Sequence, residues 1–235
     1  MRRYRKENNL AVAHSDTLVT MCPSRFLDSN TIFSWVGETL LGEDKLVILK
    51  ELPFLMSRDS SLQKPVGKID MVLIDPEANP LQWCALEMQA VYFSGHAMSS
   101  EFKFLKTWDK EGIPFPQEIR RPDFRSSGPK RLMPQLQIKV PTISRWGKKT
   151  AVVIDRSFWD SLGSMDEVDS LSNCDIAWFI VSYRERDASP NLNLVPDSLH
   201  LTTLNRAVEG LTGGIPTSLN AFEQTLRQKL SAIRE

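Results

Sequence analysis

Apolar positions along the chain recur with two periods, 3.6 and 2, and the switches between them mark its elements. From Ser29 to Leu41, Ile32, Phe33, Val36 and Leu40 share one helical face behind a candidate cap at Asp28 or Ser29, and Gly42 ends the run. Leu46–Leu49 is a short apolar run suited to a buried strand. Gly67–Ile74 predicts a second strand, closed by the turn residues of Asp75–Pro80, and Leu81–Val91 predicts a third. Two strands with so little chain between them imply an antiparallel hairpin. Helical spacing returns over Met98–Lys110 through Phe102, Leu105 and Trp108. Gly112–Pro134 is rich in Pro, Gly and Arg, has no period, and reads as a long ordered loop of the kind that carries function. Thr150–Ile154 and Ile176–Val181 predict buried strands, and Phe222–Ile233 an amphipathic helix. Helix, three strands, helix, then further strands and helices make an α/β pattern around a mixed sheet flanked by helices.

Composition adds little to this and excludes some classes. A length of 235 residues with 41% apolar and 25% charged side chains fits one globular domain, residues 1–235, with 1–27 as an N-terminal arm and 112–149 as a basic loop or helix insertion. No apolar run approaches the roughly 20 residues of a membrane helix, and the apolar stretch Leu10–His14 behind the basic start is too short for a signal core. The expectation is a cytoplasmic protein with no membrane contact. Cys22, Cys84 and Cys174 are scattered, as are His14, His96 and His200, so neither a disulfide framework nor a zinc site is indicated.

Net charge is zero, but its distribution is uneven. Between Arg120 and Lys149 stand nine basic residues (Arg120, Arg121, Arg125, Lys130, Arg131, Lys139, Arg145, Lys148, Lys149) and the single acid Asp123, a net +8 that leaves the rest of the chain at −8. A basic segment on an otherwise acidic body suits a polyanionic partner.

Side chains two apart on a strand share a face. Lys68, Asp70, Val72 and Ile74 point one way on the second strand, and Trp83, Ala85, Glu87 and Gln89 do so on the third. Asp70 and Glu87 thus stand where a buried face would otherwise be apolar. Two carboxylates close together in a low-dielectric site repel, and a cation normally reconciles them. A hard divalent ion, Mg²⁺ above all, suits oxygen donors of this kind and would supply the electrostatics of phosphodiester hydrolysis.

The segment Gly67-Lys68-Ile69-Asp70, a turn, and Glu87-Met88-Gln89 resembles the PD-(D/E)XK nuclease core, in which one strand gives the Asp and the next a Glu, a spacer and usually a Lys. The continuation Glu87-Met88-Gln89-Ala90-Val91-Tyr92-Phe93-Ser94-Gly95 resembles the NotI-like restriction endonucleases, in which Gln stands in place of the Lys. The close match covers Pro65–Gly95. It implies a restriction-endonuclease-like core and a type II restriction-type endonuclease that hydrolyses double-stranded DNA with Mg²⁺ or Mn²⁺ and no small-molecule cofactor, expected as a homodimer. Asp70 and Glu87 would ligate the metal and Gln89 would position water or metal. An amide cannot take up a proton as a lysine can, so either the metal does more of the activation or another cation assists: Lys68 from the same strand face, or less directly Lys103 or Lys106. The family's first helix often supplies a further acid, which here is Glu38. Cys22-Pro23 stands alone where some relatives carry a cysteine-bound metal module.

The basic segment then becomes the DNA-contacting candidate, with Arg120, Arg121, Arg125, Lys130 and Arg131 in first place. Gln117 and Gln135 could add amide contacts, and Arg184-Glu185-Arg186 is a second candidate. The alternative reading is a DNA-binding protein that keeps the nuclease fold and has lost cleavage.

Overall fold

The apolar runs assemble into one mixed sheet of six strands, described in a computed structural model that covers residues 3–15, 18–58, 64–95, 97–112, 114–186, 189–214 and 217–234. Two short strands come first, β1 (Arg3–Glu7) and β2 (Leu10–Ser15), which pair antiparallel around Asn8 and Asn9, both at positive φ. A helical turn over Pro23–Asn30 leads into α1 (Thr31–Leu40). The strands β3 (Val47–Met56), β4 (Pro65–Asp75) and β5 (Gln82–Met88) form an antiparallel meander, so the predicted hairpin is present. The chain then passes through β6 (Tyr92–Phe93), α2 (Ser99–Lys106) and β7 (Pro122–Asp123), with β6 pairing β7.

A continuous helical run follows: α3 (Phe124–Ser127), a wider π turn over Gly128–Leu132, and α4 (Met133–Arg145). The loop expected over Gly112–Pro134 is therefore helical from Phe124 onward. The Asp123 carboxylate caps the run by accepting the Ser126 N–H at 2.9 Å. Pro129 and Pro134 stand at the N1/N2 positions of the second and third segments of this run.

The rest of the fold is β8 (Thr150–Asp155), α5 (Arg156–Trp159), β9 (Ile176–Arg186), β10 (Ser189–Thr202), α6 (Leu204–Thr212) and α7 (Leu219–Arg234). The sheet order is β10-β9-β8-β5-β4-β3, with β5, β8 and β9 parallel and the outer pairs antiparallel. The mixed sheet flanked by helices is the predicted architecture. β10 lies outside the sequence prediction because Pro190, Asn191, Asn193, Pro196 and Asp197 give it the composition of a loop; an edge strand tolerates them.

Strict alternation divides the core. On one face Leu73, Leu86, Ala151, Val153, Ala177 and Phe179 pack under α1 through Ile32, Phe33 and Val36. On the other, Val152, Ile154, Ile176, Trp178 and Ile180 meet Leu132, Leu136 and Val140 of the long helical run, together with α5 and α6. Val72 and Ala85 continue this second face against Ile143 of α4, and Ile69 joins the same cluster. Among the described residues, no helix is long and apolar enough to cross a membrane.

Candidate active site

In the β4–β5 register Met71 stands opposite Leu86 and Val72 opposite Ala85. One step further, antiparallel pairing sets Asp70 across from Glu87, on the sheet face that Val72 and Ala85 share with α4. The two carboxylates differ in exposure: the Glu87 side chain is 5% exposed and that of Asp70 46%. The pair is thus closed at the Glu87 end and open to solvent at Asp70.

What joins them is Lys139 of α4. Its Nζ donates to Glu87 Oε2 at 2.6 Å and to Asp70 Oδ1 at 3.0 Å, and to Gln135 Oε1 one turn back at 3.2 Å. The three donors of an ammonium are therefore all engaged. Lys139 is itself buried, between Leu136, Val140 and Ile143 on the helix face that covers the sheet. Burial, opposed by the Lys139 ammonium and reinforced by neighbouring Asp70, leaves the Glu87 carboxyl raised to about 8. Burial also works against the Lys139 ammonium, but the two carboxylates, Glu87 foremost, more than reverse this and hold it above its ordinary value.

Gln89 lies just past the end of β5, where its N–H still bonds the Val153 carbonyl at 3.0 Å. It is buried, and its Nε2 donates to the Ala90 carbonyl at 2.7 Å. Lys68 shares the strand face of Asp70, but its Nζ is held at the surface by Glu51 at 3.1 Å. Glu38 is exposed on α1, which packs on the opposite face of the sheet through Ile32, Phe33 and Val36. The structure does not bring Glu38 to the pair. Lys103 and Lys106 lie on α2 in exposed positions.

The cation that completes the group is Lys139, which sequence reasoning counted only as part of the basic segment. Its signal was present in the helical spacing of Leu132, Leu136, Val140 and Ile143, which carries Lys139 along the buried stripe.

The chain beyond Gln89 runs over α3, with the Tyr92 N–H donating to Ser127 Oγ at 2.8 Å, and turns at Gly95. Gly95 sits at φ +97°, and a Cβ there would lie 2.6 Å from Arg120 Nη1, so only glycine fits. Arg120 is the first of the predicted DNA contacts, yet its side chain is 1% exposed and bonded to Glu101. Glu101, the buried residue of α2, also accepts the backbone N–H groups of Gln117 at 3.2 Å and Glu118 at 3.3 Å. Arg120 therefore folds the loop before β7 rather than facing a ligand, and the apolar Phe102 and Leu105 of α2 are exposed.

Arg121, Arg125, Lys130 and Arg131 are exposed along the segment that leads into α4. The Arg131 guanidinium lies 3.5 Å over the centre of the Tyr92 ring, itself 42% exposed. Gln117 is exposed, whereas Gln135 is engaged by Lys139. Arg184 is exposed on β9; the side chains of Glu185 and Arg186 lie outside the described residues. Cys22 is a free exposed thiol, and among the described residues no group of three His, Cys, Asp or Glu gathers as for a metal.

Two carboxylates, one open to solvent and the other pressed against a cation, offer hard oxygen donors and a pre-existing demand for positive charge. This donor set fits a divalent ion that takes few protein ligands and keeps its remaining positions for water or substrate. A family model for the restriction endonuclease NotI matches residues 1–194. No curated protein matches the chain.

Proposed function

Because the chain belongs to the NotI restriction endonuclease family, and is therefore a DNA endonuclease, we propose that it hydrolyses phosphodiester bonds of double-stranded DNA with Mg²⁺ held by Asp70 and Glu87. The supporting observation is the convergence of these carboxylates, from facing positions on β4 and β5, onto the single buried ammonium of Lys139. Bound there, the ion would polarise the scissile phosphate and lower the pKa of the attacking water.

The side chains of the site divide the remaining work. Glu87 is held from one side by Lys139 and is sealed from solvent, so it fixes the inner edge of the site. Asp70 is the half-exposed partner, and substrate approaches from its side. Lys139 balances the carboxylates, and exchanging its Gln135 contact would turn one N–H donor to a water or a phosphate oxygen beside them. It stands for the lysine that the strand lacks after Glu87. Gln89 keeps its amide on the Ala90 carbonyl and shapes the exit of β5.

The test is cleavage of a mixed-sequence plasmid with Mg²⁺ or Mn²⁺, comparing wild type with Asp70→Ala and Glu87→Ala. Wild type should cut and both variants should lose cleavage by about 10³-fold or more, as expected when a site loses its metal. They should keep DNA affinity, measured by fluorescence anisotropy in Ca²⁺. A wild type that binds DNA and cuts none across several ions and substrates would instead identify a DNA-binding protein that keeps the nuclease fold. Variants that cut as well as wild type would move the site elsewhere.

A further inference from the structure

Every residue of α7 from Leu219 to Ile233 is exposed, although its apolar side chains are strictly ordered. Leu219, Phe222, Leu226, Leu230 and Ile233 are between 45% and 80% exposed and follow one another at intervals of three, four, four and three residues. At 3.6 residues per turn they form a single narrow stripe along the helix. The helix also lies beyond residue 194, outside the part of the chain that the family match covers. A stripe this regular buries itself against a helix of matching pattern.

The order of the intervals identifies that partner. The stripe is symmetric about Leu226, so an antiparallel copy of the same helix meets it layer by layer. Leu226 then packs on its own counterpart, Phe222 on Leu230 of the second copy, and Leu219 on Ile233. The charges agree with this direction. Glu223 and Arg227 lie on the same flank of the stripe, and a two-fold axis through Leu226 sets same flanks face to face. Glu223 of each copy then stands beside Arg227 of the other, giving two symmetric ion pairs at the rim of the contact. Within one helix Glu223 and Arg227 already stand at i, i+4 spacing; the antiparallel arrangement adds the cross-copy pairs, which a parallel one, opposing unlike flanks, does not.

We propose that α7 is a self-association element, which joins two copies of this chain as an antiparallel helix pair centred on Leu226. The nuclease reading enters only in what the second copy is for: two active sites related by a two-fold axis suit the two antiparallel strands of a duplex. The helix spans about 24 Å, so the contact falls below the roughly 1,200 Å² at which standard-size interfaces begin. The association should accordingly depend on concentration.

The experiment uses the full chain carrying Asp70→Ala, so that cleavage plays no part in the outcome. Sedimentation should show a shift from one to two copies as concentration rises through the micromolar range. Leu226→Glu should hold the protein as one copy, with circular dichroism unchanged apart from α7. In a Cys22→Ser background, which removes the exposed native thiol, Leu226→Cys alone should cross-link to its own counterpart on oxidation. Leu219→Cys and Ile233→Cys should not cross-link singly and should do so when mixed. A protein that stays single at high micromolar concentration, or a dimer that Leu226→Glu leaves intact, overturns the proposal. Self-cross-linking of Leu219→Cys overturns the antiparallel direction.

Discussion

At the scale of single residues, the site is a matter of which side chain supplies positive charge. The sequence placed Asp70 and Glu87 correctly on one face because a strand has only two faces and a period of two. It could not place Lys139, which reaches Glu87 across 52 residues of sequence from a segment whose prolines hide its helical period. A basic residue within a buried stripe carries a cost unless it is paired, and that rule would have pointed to Lys139. The three amine candidates nearer in sequence fail for a local reason, since Lys68 is turned to Glu51 and α2 carries Lys103 and Lys106 at the surface. Lys139→Met should therefore lower the cleavage rate by about 10²-fold or more, with Lys139→Arg intermediate. Gln89→Ala should cost less than about tenfold, because its amide is spent on the Ala90 carbonyl. Single-turnover cleavage at saturating enzyme measures both. The reverse ranking would give Gln89 the catalytic role and leave Lys139 a counter-ion.

At the scale of elements, the strongly periodic segments were legible and the punctuated ones were not. β4, β5, β8, β9 and α1 follow from hydrophobic pattern, whereas β10 and the run from Phe124 to Leu132 were concealed by proline and polar residues. In α2 the helical apolar spacing does not mark a buried face, since Phe102 and Leu105 are exposed. The helix is anchored instead by Glu101, whose carboxylate collects two backbone N–H groups and the Arg120 guanidinium. This contact ties α2 to the strand pair β6–β7 and so to the start of the run that carries Lys139. Removing one partner of a buried ion pair leaves the other charge stranded, at about 3–5 kcal/mol. Glu101→Ala should cost close to the lower figure, since Glu118 also lies 3.2 Å from Arg120. Arg125→Ala, at an exposed position, should change stability by no more than about 0.5 kcal/mol. Urea unfolding monitored by tryptophan fluorescence separates the two, and an unchanged midpoint for Glu101→Ala would remove it as the anchor.

At the scale of the whole molecule, a neutral chain has to bind a polyanion, and the charge is arranged accordingly. The +8 of residues 120–149 lies on the helical run and turns that cover one sheet face, balanced by −8 elsewhere. The structure divides this basic segment by accessibility in a way that sequence could not. Arg120 and Lys139 are buried against carboxylates, while Arg121, Arg125, Lys130 and Arg131 remain exposed. Only charges that displace counterions from DNA enter the salt dependence of binding, each phosphate contact contributing about 0.9 to the slope of log affinity against log salt. Neutralising Arg125 and Lys130 together should therefore lower that slope by about 2 and leave the fold intact. Arg120→Ala should act differently: it removes a buried partner of Glu101, so its loss should appear first in the unfolding midpoint. Anisotropy titrations over a range of salt, run beside denaturation curves, distinguish the two behaviours. If Arg125 and Lys130 leave the slope unchanged, the DNA-facing surface lies on another side of the molecule, with the exposed Arg184 on β9 the next residue to examine.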